Sequence, residues 1–260
     1  MASGIYTAML GARAQEHTLE SVNNNLANVN TPGFKRQASM YREIHADVER
    51  QSSSAQAEGV HRPIRYLPDD RIAGVMEERF THFDQGALRQ TGNSLDLALE
   101  GDGFFVVQGQ NGPAYTRNGT FTLAPDGTLI SAANGGAVLD TDGQPIRIAS
   151  PGASVSITRE GIVQAGAAKI GQLAVVKFDD PRLLERQGDS EWKPADPQLQ
   201  ATPVDDPIVH QGWLEGSNVN AVSTMTLMVK TSRLFELNNK MIQSYKQMDS
   251  QSAQELGRTV

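Results

Sequence analysis

Apolar residues recur at seven-residue intervals at both ends of this 260-residue chain, and this repeat constrains the fold more than any other feature. A heptad repeat of apolar side chains predicts an α-helix that packs against another helix along one narrow face. The two N-terminal rows, which Gln15 alone interrupts, are Ile5, Ala12, Leu19 and Leu26, and Ala8, Gln15, Val22 and Val29. The stripe is narrow and rich in small residues, so it fits one close partner rather than a large core.

The first helix is predicted over roughly residues 3–29, about 40 Å at ~1.5 Å per residue. It should stop near Asn30, because Thr31 precedes Pro32 and is therefore disfavoured in the α region. The residues expected to fix the geometry of the exit are Asn25, Asn28, Thr31, Pro32, Gly33 and Phe34. Asparagine is a poor helix former, so the amides of this stretch are either solvated or bonded to a neighbouring subunit, and the sequence leaves both readings open.

A second amphipathic helix is predicted at the C-terminus, beginning at Ser217 or Asn218. Its apolar positions are Leu227, Leu234, Met241 and Met248, the adjacent Met228, Phe235 and Ile242, and Tyr245. We expect the two terminal helices to pair as an antiparallel coiled coil that is marginal alone and is stabilised by neighbouring subunits. The predicted assembly interface comprises Leu19, Val22, Leu26 and Val29 of the first helix and Leu227, Leu234, Phe235, Met241, Ile242 and Tyr245 of the last.

Between the helices the hydrophobic period changes from seven to two. From Leu95 onward, apolar and polar residues alternate, and short β-type runs are separated by Asn-Gly, Asp-Gly and Glu-Gly dipeptides at 102, 118, 126, 142 and 160. Such dipeptides favour tight hairpins, and their spacing predicts a compact all-β domain. The fold class is therefore mixed, mainly β with long terminal helices. The predicted divisions are an N-terminal helix at 1–34, a connector at 35–90, a β-rich domain at 91–215 and a C-terminal helix at 216–260.

The connector and the end of the β-domain carry weaker signals. A short helix is possible over Met40–Arg50, and extended strands are predicted at Arg71–Phe80 and Gly86–Gln90. Residues 179–207 are rich in Asp and Pro and are expected to loop outward. Val209–Leu214 reads as one closing strand.

Composition excludes several classes of function. The formal net charge is −7, with +1 on residues 1–44, +2 on 218–260 and therefore −10 on the middle, which disfavours nucleic acid as a partner. Cysteine is absent, so thiol chemistry is excluded. Neither an 18-residue apolar run nor a cleavable secretory signal is recognisable, so no membrane insertion is expected.

No pattern in the chain supports catalysis, a cofactor or a bound metal. The five histidines are scattered without ligand spacing, and the calcium-loop-like start at Asp140 has Pro151 where glutamate is required. Nucleophile-elbow, P-loop and dinucleotide signatures are also missing. We therefore expect no enzyme, no cofactor and no small-molecule substrate.

Five stretches resemble one known family. The run N-N-L-A-N-V-N-T-P-G-F-K-R at 24–36 resembles the N-terminal signature of the bacterial flagellar basal-body rod and hook proteins, and I-Y-T-A-M at 5–9 is similar to the proximal-rod member. The stretches at 95–107, 114–121 and 214–220 are similar to the family's β-domain and to its join with the last helix. They read L-D-L-A-L-E-G-D-G-F-F-V-V, A-Y-T-R-N-G-T-F and L-E-G-S-N-V-N. Together the five stretches cover both ends and the middle of the chain.

The resemblance implies a structural subunit of the rod, most like the proximal rod, with a distal-rod or hook-type subunit as the nearest alternative. Its terminal helices would form the inner wall of a torque-transmitting tube, with copies of itself, other rod subunits, hook-side proteins and the surrounding rings as partners. It also implies export through the flagellum's own type III channel, without a cleaved signal, to the periplasm-spanning rod. A β-rich surface-binding module on a helical stalk is the alternative from another class.

Overall fold

The computed structural model describes residues 2–45, 72–109, 112–148, 155–166, 168–188, 190–196 and 199–258. Its described residues form two long helices, one near each end of the chain, and a central region of short strands. The helices are α1 (Ala2–Ala27) and α2 (Ala221–Arg258). None of the helices within the described ranges combines the length and the apolarity that crossing a membrane requires.

Seventeen strands are assigned among the described residues, and most of them are short. They are β1 (Gln37–His45), β2 (Ile72–Thr81), β3 (Leu88–Gln90), β4 (Leu97–Glu100), β5 (Phe104–Gly109), β6 (Gly112–Thr116), β7 (Phe121–Leu123), β8 (Leu129–Ser131), β9 (Val155–Ile157), β10 (Ile162–Ala165), β11 (Ala168–Gln172), β12 (Val175–Lys177), β13 (Leu184–Arg186), β14 (Glu191–Pro194), β15 (Thr202–Pro203), β16 (Ile208–Gln211) and β17 (Trp213–Glu215). A short 3₁₀-helix covers Pro181–Leu183.

The chain divides into two compact units, each described by itself. The helical unit comprises the described residues of Met1–Val22, Ala38–Phe80 and Thr226–Val260. The β unit comprises the described residues of Asn23–Gln37 and Thr81–Met225. The division falls within both helices: residues 23–27 of α1 and 221–225 of α2 belong to the β unit.

The largest sheet of the β unit has six antiparallel strands in the order β13-β14-β6-β5-β12-β15. Strand β5 shows why this sheet is buried on both faces. Because successive side chains of a strand point to opposite faces, Phe105 and Val107 enter one apolar cluster, with Leu97 and Leu129, while Phe104 enters another, with Trp192 and Tyr115. The smaller groups of the β unit are β11-β10-β9 and the pairs β16-β4, β17-β3 and β7-β8, whereas nearly all of the pair β1-β2 belongs to the helical unit.

The predicted strands at 71–80 and 86–90 are confirmed as β2 and β3. Three of the five predicted turns are also confirmed, since Gly127, Gly143 and Gly161 have φ values of 79°, 75° and 79° and close the tight turns at those positions. Asn118-Gly119 is not a hairpin turn. A Cβ at Gly119 would lie 1.6 Å from the carbonyl oxygen of Leu97, so glycine is needed there for a close backbone approach.

Other expectations were wrong. Residues 179–207 do not simply loop outward, because β13 and β14 join the six-stranded sheet and bury Trp192 to 1% exposure. Burial of the apolar side chains of Leu184 and Trp192 thus holds this segment in the sheet although most of its residues are polar. The possible helix at Met40–Arg50 is strand β1 as far as His45, and its remainder lies outside the described residues. The single closing strand is two strands, separated at Gly212, whose φ is 75°.

The helix ends differ from the prediction by a few residues, for reasons visible in local hydrogen bonds. Helix α1 ends at Ala27, where the side chain of Asn28 donates to the carbonyl of Asn24 at 2.8 Å and so satisfies a terminal acceptor. Helix α2 begins at Ala221, because Asn220 is its N-cap and accepts from the backbone N–H of Ser223 at 3.0 Å.

Candidate assembly site

Helix α2 has one covered face, and among its exposed apolar side chains four form a regular row, the outer row. Thr231 is buried and Phe235, Ile242 and Tyr245 are half-buried, so these residues mark the covered face. The outer row consists of Leu227, Leu234, Met241 and Met248, which are 45%, 39%, 48% and 43% exposed. Their spacing by seven keeps them on one flank of the helix. Apolar side chains of this size are thus left open to solvent along about 30 Å, at ~1.5 Å per residue.

Helix α1 differs from α2 in that several of its buried residues are small. Ala8 and Ala12 are buried, and the glycines at positions 4 and 11 lie close to α2. A Cβ at Gly4 would lie 2.8 Å from the ring of Tyr245, and a Cβ at Gly11 would lie 3.4 Å from the side-chain nitrogen of Asn238. Small residues at these positions therefore leave room for the larger side chains of α2.

The exit from α1 is held by side-chain amides within the same chain. Asn25 is buried, donates from Nδ2 to the carbonyl of Gln37 at 2.7 Å and accepts on Oδ1 from the N–H of Gln37 at 2.9 Å. Asn28 caps the helix and accepts from the hydroxyl of Thr31 at 3.1 Å. The amides of Asn25 and Asn28 are therefore engaged internally, whereas the sequence had suggested either a solvated face or a bond to another subunit.

Phe34 anchors the exit by complete burial. Its ring is 0% exposed and lies 4.5 Å from the guanidinium carbon of Arg186, a cation–π geometry. Arg186 also donates to the side-chain oxygen of Asn24 at 3.4 Å. The hairpin of β13 and β14, in the segment that the sequence assigned to a loop, thus contacts the end of α1.

A buried ionic cluster lies beside this anchor. Nζ of Lys35 is 2.6 Å from Oε1 of Glu215, and the guanidinium of Arg117 is 3.4 Å from Oε2 of the same carboxylate. Oε1 also accepts from the N–H of Gly86 at 2.8 Å. Lys35 donates further to the carbonyl of Asp84, and Arg117 to the carbonyl of Gly101. Two cations and one carboxylate give this cluster a formal charge of +1.

Burial sets the electrostatics of the cluster. It lowers the pKa of Lys35 below its usual value, although the carboxylate of Glu215 acts in the opposite direction. Burial likewise lowers the pKa of Arg117, again against Glu215. Glu215 is the main carboxylate that favours the charged form of each cation, so its removal would leave both without their buried partner.

Asn218 completes the arrangement by joining three segments. Its side-chain oxygen accepts from the N–H of Arg36 at 2.7 Å, and its nitrogen donates to the carbonyls of His82 and Asp84 at 2.8 and 3.0 Å. We call the set of residues 33–37, 82–86 and 214–218, together with Arg117, the junction. The junction therefore connects the exit from α1 to the start of the β-rich region and to the segment that leads into α2.

The predicted interface residues fall into three groups by burial. Val22, Asn25, Gly33 and Phe34 are buried, and Leu227, Leu234 and Met241 are exposed. The half-buried ones are Leu19, Leu26, Asn28, Val29, Thr31, Pro32, Phe235, Ile242 and Tyr245.

Lys35, Arg117, Glu215 and Asn218 could not be predicted from the sequence as one cluster. Each lies inside a quoted motif, at F-K-R, T-R-N-G or L-E-G-S-N, but a single charged residue in a motif does not indicate which distant charge it meets. Within the described ranges, no group of three or more potential metal-ligating side chains is assembled.

Three family models match this chain at the regions just described. The model for the flagella basal body rod protein matches residues 5–35, that for the D1 domain of the flagellar hook protein FlgE/F/G matches 98–165, and that for the C-terminal part of the flagellar basal body rod FlgEFG protein matches 210–255. The first match includes residues 33–35 and the last includes 214–218, and both of these stretches belong to the junction.

Full-length relatives agree with these matches. The flagellar basal-body rod protein FlgF of Caulobacter vibrioides is 32% identical over 258 residues, 99% of both chains. FlgF of Rhizobium meliloti is 31% identical over 91% of this chain and 90% of its own. The flagellar basal-body rod protein FlgG of Agrobacterium fabrum is 33% identical over 94% of this chain and 95% of its own. With similarity along its whole length, from helix to β-rich region to helix, the chain belongs to the flagellar basal-body rod protein family.

Proposed function

We propose that this chain is a structural subunit of the flagellar basal-body rod and assembles with copies of itself and other rod components through its terminal helices. The observation that carries the proposal is the outer row of α2, whose large apolar side chains are exposed in the single chain. Exposed apolar surface of this regularity marks a contact with another protein. Similarity over the whole chain, including both helices, favours this role over a surface-binding module or an enzyme.

Within the subunit, α1 and α2 are proposed to form an antiparallel two-helix coiled coil. The close approaches of Gly4 to Tyr245 and of Gly11 to Asn238 support this pairing. From the first approach to the second, the position advances by seven residues along α1 and retreats by seven along α2. Such a register is what an antiparallel heptad packing requires.

The covered face of α2 then faces α1, and the outer row is left for a neighbouring subunit. A contact between the outer row and a different surface of the next copy is heterologous, and it generates a helical tube when it does not close into a ring. Such a tube, stiffened by rows of interlocked side chains, is suited to transmit torque. The role assigned to the chain is therefore mechanical rather than catalytic.

The position in the rod is proposed to be proximal, on the basis of the I-Y-T-A-M opening at residues 5–9. Relatives with the names FlgF and FlgG have similar identities to this chain, so the distal position is the alternative. Location in the periplasm-spanning part of the basal body and export without a cleaved signal belong to the same proposal. So do contacts with hook-side proteins and surrounding rings.

A charge placed in the outer row tests the proposal. Leu234→Asp puts a carboxylate into the proposed contact, whereas Gln243→Asp puts one at another exposed position of α2. In cells that lack the native gene, we expect Gln243→Asp to restore swimming and to be present in isolated basal bodies. Leu234→Asp should do neither, although its β unit remains folded by circular dichroism. Normal incorporation of Leu234→Asp would overturn assembly through this row.

A further inference from the structure

The methionines whose side chains the structure describes lie on exposed helix surfaces. Every methionine whose side chain the structure describes lies on α1 or α2 and is at least 36% exposed. These residues are Met9, Met225, Met228, Met241 and Met248. Of the five, only Met241 and Met248 belong to the outer row, where they continue the line of Leu227 and Leu234.

An exposed thioether is open to oxidation by peroxide. The sulfur attacks one oxygen of hydrogen peroxide, the O–O bond breaks, an S–O bond forms and water leaves, so the sulfur is oxidised as the peroxide is reduced. The product, methionine sulfoxide, is polar where the thioether was apolar. Met241 and Met248 are 48% and 43% exposed, so neither is shielded from a small oxidant in the free subunit.

We propose that Met241 and Met248 form an oxidation-sensitive modification site: peroxide converts them to sulfoxides in the free subunit, and the oxidised outer row no longer packs against a neighbouring copy. This inference rests on the proposed function, because the outer row must be a contact surface for its oxidation to matter. A sulfoxide oxygen buried in an apolar contact without a hydrogen-bond donor is unfavourable. Within the assembled tube the same side chains are covered, so assembly protects them.

The test uses the purified full-length chain at a concentration at which it forms tubes, observed by electron microscopy and light scattering. One portion is treated with hydrogen peroxide, which is then removed, and sulfoxide is mapped by mass spectrometry of peptides. We expect the treated protein to carry sulfoxide at 241 and 248 and to need about tenfold or more protein to assemble. Far-UV circular dichroism of the treated monomer should be unchanged.

Two double variants separate the outer row from the other methionines. Met241→Leu with Met248→Leu keeps an apolar side chain of similar volume but cannot be oxidised, so this variant should assemble equally well before and after peroxide. Met9→Leu with Met225→Leu is the matched control, and it should lose assembly after peroxide as the native chain does. The reverse pattern, or unchanged assembly of the oxidised native chain, would overturn the proposed site while leaving the rod assignment intact. If the untreated chain formed no tubes at any concentration, the proposed function would fail and this inference with it.

Discussion

Nζ of Lys35 lies 2.6 Å from Oε1 of Glu215, and both side chains are almost completely removed from solvent. The two residues are separated by 180 positions in the chain, so their contact joins the exit of the first helix to the approach of the last. A buried pair of this kind is not by itself strong evidence of stability, because desolvation offsets much of the attraction. Removing one member of such a pair is nevertheless strongly destabilising, because the other charge stays buried without its partner.

Glu215→Gln should therefore destabilise the β unit strongly. The substitution keeps the shape of the side chain but leaves the cations of Lys35 and Arg117 buried without a carboxylate. We expect a loss of about 3–5 kcal/mol in the free energy of unfolding. Urea unfolding followed by tryptophan fluorescence measures it, since Trp192 is buried in this unit. Glu185→Gln, at an exposed site, should change little, and equal stabilities of the two variants would contradict the role of the cluster.

Asn25→Ala tests the amide that holds the exit. Asn25 makes two hydrogen bonds to the backbone of Gln37, and both backbone groups would lose their partner. An unsatisfied buried polar group costs about 1–3 kcal/mol, so we expect the free energy of unfolding to fall by about that amount and the urea midpoint to fall with it. Asn23→Ala replaces an exposed asparagine two residues earlier and serves as the control. Identical midpoints for the two variants would mean that the amide of Asn25 is dispensable.

Gly33→Ala separates backbone strain from steric conflict. Gly33 has a φ of 67°, and a Cβ there would lie 2.4 Å from the backbone nitrogen of Asn118. Gly143 has a φ of 75° but open space around a Cβ, so Gly143→Ala carries the strain alone. We expect about 1–2 kcal/mol for the strain and a further loss of about 1–3 kcal/mol for the forced displacement at Gly33. Thermal unfolding of the two variants measures the difference, and a milder effect at Gly33 would refute the close approach.

Features that depend on neighbouring residues could be predicted from the sequence, whereas features that depend on contacts between distant residues could not. The two helices and many of the strands were recoverable, because a heptad or a two-residue alternation reports the local fold of the segment that carries it. The prediction for the exit residues from Asn25 to Phe34 likewise came from one contiguous stretch. In contrast, the pairing of Lys35 with Glu215 depends on tertiary folding, and no periodicity of the chain encodes it.

The β13–β14 hairpin is a second case in which a tertiary contact, not visible in the local sequence, decided the structure. Its surroundings in sequence are rich in Asp and Pro, which indicated a loop, yet Trp192 packs at 5.7 Å from the ring of Phe104 and draws the hairpin into the sheet. The average composition of residues 179–207 therefore did not indicate that Trp192 would be buried and would bring the hairpin into the sheet. Likewise, the heptad rows of α2 did not reveal which row is covered and which is exposed, since both are equally apolar.

Acidification should weaken the β unit through His82. Its imidazole lies beside Arg36, and burial together with this cation lowers its pKa, while Asp84 at 4.0 Å partly opposes them. A histidine whose folded-state pKa lies below the unfolded value of about 6.5 takes up its proton more readily when the chain unfolds. The free energy of unfolding should therefore fall as the pH drops through and below 6.5.

His82→Gln tests this sign because it removes the proton-binding group but keeps the backbone bonds of residue 82 to Arg36 and Asn218. Urea midpoints at pH 7.5 and pH 5.5, chosen above and below the usual histidine pKa, should differ less for this variant than for the native chain. His17→Gln, in the helical unit, should retain the native difference. The exposed carboxyls of Asp126, Glu160 and Asp180 also have lowered pKa values, but their effect on stability begins only nearer their usual range, about pH 4. A loss of stability that sets in only near pH 4, and that His82→Gln leaves unchanged, would assign the acid sensitivity to these carboxyls instead of His82.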